Sequence, residues 1–290
     1  MEIILGKTAG FCYGVKRAVD GAKEELSKTK DTLYCLGEIV HNQEVINELR
    51  NKGLKFIETI EEAKGKTIIR AHGVKKSVYE KAKKMQINLC DYTCPKVLKI
   101  HEIAEEYAQN GYYIFLSGSK THPENIGTIS FCGKNCSIIE KIEDVEKEIN
   151  NFRKSHCKNL LLISQTTYNL DKFLEIENLI KNELQGEVIV KNTICKATQL
   201  RQLETKEIAK KVDCMIIIGG KNSSNTKKLY DIAKETCNNS ICVETKEEID
   251  MNNISKCEKI GVMAGASTPK ESIEEVIKLL EERDKILIKT

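Results

Sequence analysis

Three short stretches set a cysteine where an apolar run gives way to a helical pattern. They are "TAGFCYGV", Thr8 to Val15, with Cys12; "DYTCP", with Cys94; and "KNTIC", with Cys195. A thiol in such a place serves as a nucleophile, a metal ligand, half of a disulfide or a small buried side chain. Counting forward from each cysteine separates these roles. Gly118, closing "YYIFLSG", lies 24 positions after Cys94, and Gly219, closing "CMIIIGG", lies 24 after Cys195. His122 and Ser223 follow the same cysteines at 28 positions, and Thr166 and Ser267 follow at 72. Around Cys12 a shorter series runs in parallel, with His41 at 29 positions and His72 at 60.

The chain therefore reads as three repeats of about 80–100 residues. Each carries a cysteine at a helix start, a polar residue after a second strand and another after a third. Three α/β units related by a pseudo-threefold axis point like turns at one centre. The cysteines would meet there, ringed by His41, His72, His122, Thr166, Ser223 and Ser267.

Three thiolates on one centre suit a metal. Zinc is usually completed by a fourth Cys or His. A cubane iron–sulfur cluster takes one Cys per iron, so three cysteines leave one iron open to substrate. Helix N-termini add free N–H groups and partial positive charge to a site of anionic ligands.

Two further stretches carry chemistry. "GGKNSSN", Gly219 to Asn225, follows the apolar run "MIII" and opens a helix. Backbone N–H groups, hydroxyls and an amide at a helix start make an anion cradle. The stretch lacks Walker A spacing, and Ser-Ser-Asn is also ordinary helix capping. With His41, His72 and Ser267 brought in by the repeat, it reads as a phosphate or diphosphate site. In "HPENIGT", Glu124 lies two residues after His122 at a helix start. Beside a cluster, a buried carboxyl with a raised pKa donates protons; the plainer alternative is a surface glutamate favoured at a helix N-terminus. His101, mid-helix, reads as structural, and His156, in "RKSHCKN", as loop surface.

The elements that position these residues follow from the apolar pattern. Strands are expected at 2–6, 32–36, 67–71, 112–117, 159–164, 213–218 and 259–263. Helices are expected at 15–28, 75–84, 96–109, 170–184, 197–211, 224–236 and 270–282. Alternating strands and helices imply βαβ units with parallel sheets, and sites at the carboxyl ends of strands. The fold class is α/β, in three units: 14–95, 96–194 and 195–285, the last joined by the N-terminal strand in 1–13. Pro95, Pro123 and Pro269 each follow a site residue within two positions and suit the first turn of a helix.

The totals bound the function. The 290 residues are 40% hydrophobic and 31% charged, with a net charge of +3 spread over 46 basic and 43 acidic residues. The mixing leaves no clustered basic face for nucleic acid. No apolar stretch approaches the ~18–20 residues that span a bilayer. The N-terminus has no cationic segment followed by an apolar one, so a cytoplasmic location is expected. A reducing compartment argues against a disulfide framework for the twelve cysteines. No Cys-x-x-Cys occurs, against a thioredoxin-like site or a zinc ribbon. Cys35, Cys90, Cys214 and Cys242 lie in apolar strand-like runs and read as small buried side chains.

In order along the chain, "GFCYGV", "EIVHNQ", "AHGV", "DYTCP", "THPENIGT", "SQTT", "KNTIC", "KNSSN" and "AGASTP" resemble the motifs of the 4-hydroxy-3-methylbut-2-enyl diphosphate reductase family. The resemblance runs from Cys12 to Pro269; Tyr92 and Thr226 depart from the usual residues at positions without an assigned role. It implies a [4Fe–4S] cluster held by Cys12, Cys94 and Cys195, with an open iron for the substrate hydroxyl. It implies reductive loss of that hydroxyl as water, giving isopentenyl and dimethylallyl diphosphate in the non-mevalonate isoprenoid pathway. Glu124 would supply protons, Thr166 would position the hydroxyl, and His122 would assist at the same place. His41, His72, His122, Thr166, Ser223, Ser224, Asn225 and Ser267 would hold the substrate and its diphosphate. The expected electron donor is a ferredoxin or flavodoxin, with no nucleic acid or membrane partner. The alternatives are another three-cysteine cluster enzyme, such as quinolinate synthase, and a non-catalytic iron–sulfur sensor, which would need neither Glu124 nor Thr166.

Overall fold

In the computed structural model the described residues are 1–184 and 188–287, the side chains of 283–287 excepted. Residues 185–187, which fall inside the second expected unit, lie outside the described residues. The chain begins with β1 (Glu2–Leu5), α1 (Tyr13–Lys28), β2 (Tyr34–Leu36), α2 (Gln43–Asn51), β3 (Lys55–Ile57), β4 (Thr67–Ile69), α3 (Lys76–Lys84) and β5 (Leu89–Asp91). It continues through α4 (Pro95–Gln109), β6 (Tyr113–Ser117), α5 (Pro123–Ile129), β7 (Cys136–Ile139), α6 (Val145–Lys154), β8 (Leu160–Ser164), α7 (Leu170–Glu183) and β9 (Val188–Val190). The last third holds α8 (Lys196–Ala209), β10 (Cys214–Ile218), α9 (Ser224–Thr236), β11 (Ser240–Val243), β12 (Lys259–Ala264) and α10 (Lys270–Leu287).

The strands form three four-stranded sheets, ordered β3-β2-β4-β5, β7-β6-β8-β9 and β11-β10-β12-β1. Every strand pair is parallel. The three orders are one topology: the first strand of each set is flanked by the second and third, and the fourth lies on the far edge. The N-terminal β1 is the fourth strand of the last sheet, pairing β12 from Glu2↔Lys259 to Leu5↔Val262. By compactness the chain divides into two units. One contains Met1–Lys16, Val40–Glu48 and the chain from Lys196 onward; the other contains Arg17–Ile39 and Leu49–Cys195. The first holds the β10 sheet, and the second holds the other two.

Central strands of parallel sheets are covered on both faces and read as unbroken apolar runs. "YIFLS", "LLLIS" and "CMIII" are of this kind, and all their residues are buried. These strands, with β1, β2, β4 and β12, lie where the apolar pattern predicts them. The edge strands β3, β5, β7, β9 and β11 are absent from the expected strands, although the runs around Cys90 and Cys242 read as strand-like. They have three or four residues, mostly half-buried, so one open side removes the apolar signal. The same exposure corrects two cysteines. Cys35 and Cys214 are buried as expected, but Cys90 on β5 and Cys242 on β11 are only half-buried, because each lies on a strand next to or at a sheet edge. Burial pushes the Cys35 and Cys214 thiols up to about 12 and Cys242 up to about 11, keeping all three protonated and unreactive. Pro95 and Pro123 occupy the first turns of α4 and α5, whereas Pro269 stands just before α10.

Phe115, fully buried on β6, packs among Tyr113, Leu162, Phe173 and Ile176 under the β6 sheet. Phe115→Ala should cost about 3–5 kcal/mol in denaturant unfolding; a loss below ~1 kcal/mol would show that this core is not closely packed around the ring.

Candidate active site

Each of the three cysteines is a half-buried thiol immediately ahead of a helix. Each ends the segment that follows a fourth-position strand: Cys12 after β1, Cys94 after β5 and Cys195 after β9. In each case the cysteine N–H donates to the backbone of the turn after the neighbouring third strand. Cys94 N–H reaches Ala71 O at 3.0 Å, Cys195 N–H reaches Thr166 O at 2.9 Å, and Cys12 N–H reaches Ala266 O at 3.1 Å. Those acceptors are, or directly precede, His72, Thr166 and Ser267. The same bond, made three times, ties each thiol to a polar residue picked out by the repeat.

In the second compact unit these ties belong to a continuous chain of contacts. Glu124 is 2% exposed at the start of α5, where Pro123 sets the first turn. Its Oε1 accepts from the Thr166 backbone N–H at 2.6 Å, and its Oε2 accepts from the Thr166 hydroxyl at 2.6 Å. Glu124 N–H donates to His122 Nδ1 at 3.2 Å. That bond makes Nδ1 the unprotonated nitrogen of the neutral ring and leaves the proton on Nε2. His122 is buried and meets His72 edge to face, with ring centroids 5.4 Å apart. The contacts thus run from Cys195 through Thr166, Glu124, His122 and His72 to Ala71 and Cys94. The carboxyl is not the surface glutamate of the plainer reading.

In the first compact unit, three segments converge. The turn after β10 leads to Ser223, which caps α9 by accepting from Thr226 N–H at 3.3 Å. The turn after β12 carries Ser267, whose hydroxyl donates to His41 O at 3.4 Å. A Cβ built on Gly220 would lie 2.2 Å from His41 O, so only glycine lets the His41 backbone come this close. The Asn225 amide is 4% exposed, and among the described residues neither its nitrogen nor its oxygen has a hydrogen-bond partner. Burying an amide without partners costs stability, so this side chain is set for something the protein alone does not provide. Half-buried Ser224 accepts from Lys228 Nζ at 2.8 Å, adding a cation beside the cradle. The repeat aligns Asn225 with Glu124, Ser223 with His122 and Ser267 with Thr166.

The two remaining histidines behave as read from sequence. His101 is 3% exposed and stacks on Phe131 at 4.3 Å. Burial pushes its ring down to about 4, against a weaker pull from Asp91. His156 is exposed on a loop in a left-handed conformation.

Several supporting residues carry no repeat signal and were missed. Buried Arg201 on α8 donates to Thr8 O and Gly10 O, both at 2.8 Å, fixing the loop that leads to Cys12. Glu204, one turn further on, accepts from Lys7 N–H, Thr8 N–H and the Thr8 hydroxyl at 2.7, 2.9 and 2.5 Å. Gln165 accepts from Ser119 N–H and from the Asn125 amide through one oxygen, at 3.2 and 3.0 Å. It thereby joins the turns of His122 and Thr166. Gln165 stands in the quoted "SQTT" and Asn125 in "HPENIGT", so their motifs were visible although their role was not.

Burial pushes the Glu204 carboxyl upward, but hydrogen bonds from the Thr8 hydroxyl and from the Thr8 and Lys7 backbones, with the Lys7 charge, overcome it and hold it below the usual range. A lowered carboxyl contributes stability above its unfolded pKa and loses it as pH falls through the folded value. Glu204→Gln should therefore lower the unfolding midpoint near neutral pH, with the difference shrinking below about pH 4. An equal difference at both would show that the charge is not what holds Lys7 and Thr8.

Comparison with known proteins agrees across the whole chain. The LytB protein family profile matches residues 3–281. The chain is 41% identical over 283 residues to the 4-hydroxy-3-methylbut-2-enyl diphosphate reductase of Clostridioides difficile strain 630, covering 97% of this chain and 99% of that one. It is 40% identical over 286 residues to the enzyme of the same name from Aquifex aeolicus, covering 97% and 96%. Among solved structures, the E-1-hydroxy-2-methyl-but-2-enyl-4-diphosphate reductase of Plasmodium falciparum superposes with a TM-score of 0.90 at 33% identity, over 96% of this chain and 87% of the other. A structure of (E)-4-hydroxy-3-methyl-but-2-enyl diphosphate reductase, described as the terminal enzyme of the non-mevalonate pathway, matches with a TM-score of 0.70 at 39% identity, covering 97% and 100%. The chain belongs to the LytB protein family.

Proposed function

We propose that this LytB-family oxidoreductase removes the hydroxyl of 4-hydroxy-3-methylbut-2-enyl diphosphate reductively, yielding isopentenyl and dimethylallyl diphosphate. The C–O bond breaks, two electrons and two protons are consumed, and the oxygen leaves as water. The observation that carries the reading is Glu124: a buried carboxyl held by both donors of Thr166, beside a histidine whose protonated nitrogen is Nε2. A non-catalytic sensor has no use for that arrangement.

The cysteine chemistry fits an iron–sulfur cluster. Cys12, Cys94 and Cys195 are incompletely buried thiols, each ahead of a helix start whose N–H groups favour anionic ligands. When bound, a [4Fe–4S] cluster held by these three residues supplies electrons and an iron open to the substrate oxygen. Once protonated on Oε2, Glu124 donates to the Thr166 hydroxyl oxygen, and that hydroxyl, turned from the orientation in which it donates to Oε2, gives its own proton toward the leaving hydroxyl. His122 donates from Nε2. His41, His72, Ser223, Ser224, Asn225 and Ser267 bind the diphosphate, with Asn225 using its unpartnered amide. A cytoplasmic ferredoxin or flavodoxin supplies the electrons. Of the three units, 14–95 would contribute Cys94, 96–194 would contribute His122, Glu124 and Thr166, and 195–285 with the N-terminal strand would contribute Cys195 and Cys12.

The test is an anaerobic assay with a reduced one-electron donor and the hydroxymethylbutenyl diphosphate. Both products should form, and a protein that binds iron but leaves this substrate unchanged would end the reading. Glu124→Gln should keep the visible cluster absorption while turnover falls ~10²–10³-fold; normal turnover would remove Glu124 as the proton source. Asn225→Ala should raise KM about tenfold or more with a smaller effect on kcat, and an unchanged KM would refute its place in the diphosphate cradle.

A further inference from the structure

Each cysteine thiol is placed by the stretch of chain that leads into it, and two of the three approaches are gripped by an arginine. Ahead of Cys94, Arg17 on α1 donates from Nη1 to Thr93 O at 3.1 Å and from Nη2 to Asp91 O at 3.3 Å. Its guanidinium also lies over the Tyr92 ring, 5.4 Å from the centroid, within the range of a cation–π contact. One turn further along α1, a Cβ built on Gly21 would lie 2.2 Å from the Tyr92 ring, so the helix leaves a slot that this ring fills. Arg17 thus holds three successive residues, and Cys94 is the next. Ahead of Cys12, Arg201 on α8 donates from Nε to Thr8 O and from Nη2 to Gly10 O, both at 2.8 Å. Arg201 is buried and Arg17 half-buried, and each grip lies within one compact unit. Both arginines stand early in a helix that a cysteine opens, five positions after Cys12 and six after Cys195, and each holds the approach to a different cysteine. The Cys195 approach is held by a threonine: the Thr193 hydroxyl donates to Ser164 O at 2.5 Å and accepts from Ser164 N–H at 2.8 Å.

We propose that Arg17 and Arg201 are positioning residues for the cluster ligands, Arg17 fixing the Cys94 thiol and Arg201 the Cys12 thiol, so that each arginine governs one ligand and not the others. The inference rests on the cluster reading proposed above for Cys12, Cys94 and Cys195. Arginine suits the task because its planar fork meets two carbonyls at a fixed spacing, whereas lysine offers one compact charge on a flexible stem. A backbone carbonyl that loses its donor can turn, and the thiol one or two residues further along turns with it. A cluster with three protein ligands has no spare thiolate, so one loosened leg is enough to open it to loss of iron. Residues that orient metal ligands in this way typically change metal affinity about 10–100-fold when replaced.

The full chain, purified anaerobically with its iron, is exposed to excess ferrous chelator together with iodoacetamide. Iron release is followed by absorbance, and alkylation of each cysteine by mass spectrometry. Release should quicken about tenfold or more in Arg17→Gln, Arg17→Lys and Arg201→Lys. Relative to the wild-type chain, Cys94 alone of the three ligands should be alkylated faster in the Arg17 variants, and Cys12 alone in Arg201→Lys. Because Arg17 is only half-buried, its variants decide the matter even where Arg201→Lys fails to fold. An equal rise at Cys12, Cys94 and Cys195 would show a general loosening of the fold and overturn the proposal. Iron bound by the wild-type chain and released at the same rate from every variant would end the proposal alone; a wild-type chain that holds no iron would end the cluster reading and the proposal with it.

Discussion

One backbone hydrogen bond organises the sites: the N–H of a helix-opening cysteine donating to the turn that follows the neighbouring strand. It occurs at Cys12, Cys94 and Cys195, with Ala266, Ala71 and Thr166 as acceptors. A parallel sheet delivers every strand end to the same edge. Two adjacent strands therefore bring their following turns side by side without further design. The bond fixes the distance between them. The thiol on one turn and the polar side chain on the other then cannot drift apart unless the sheet itself is disrupted.

Placing the sites at strand ends also explains where polar groups are buried. The strands beneath are apolar but for a buried serine at the end of β6 and of β8, and Glu124 finds its partners in the turn after β8. It finds both in Thr166, and the cost of burying it is offset by two short hydrogen bonds. At the matching position in the last repeat, Asn225 has no such partner. One topology thus gives a carboxyl that is internally satisfied and an amide that is not. The first is fixed in place by its donors, and the second is suited to receiving a ligand. Repetition supplied the scaffold, and substitution at aligned positions divided the labour.

The sequence made the repeated parts legible. Thr166 and Ser267 stand the same 72 positions after Cys94 and Cys195, and His72 follows Cys12 in a shorter series of the same order. The long apolar strands showed because burial on both faces leaves nothing polar to confuse the pattern. What escaped notice was of two kinds. The edge strands β3, β5, β7, β9 and β11 have only three or four residues, too few to stand out as a strand pattern. Arg201, Glu204 and Gln165 act over long separations in the chain, and an arginine or glutamate on a helix normally marks its solvated face. Only the folded chain shows that Arg201 is buried and turned toward Thr8 and Gly10.

Cluster binding of the kind proposed requires Cys12, Cys94 and Cys195 to act as one ligand set. Iron and acid-labile sulfide, measured per chain after anaerobic purification, test this most directly when compared with Cys12→Ser, Cys94→Ser and Cys195→Ser. About four of each are predicted for the wild-type chain, with marked loss in every one of the three variants. A wild-type chain without iron, or a stoichiometry unchanged in any of these variants, would contradict it.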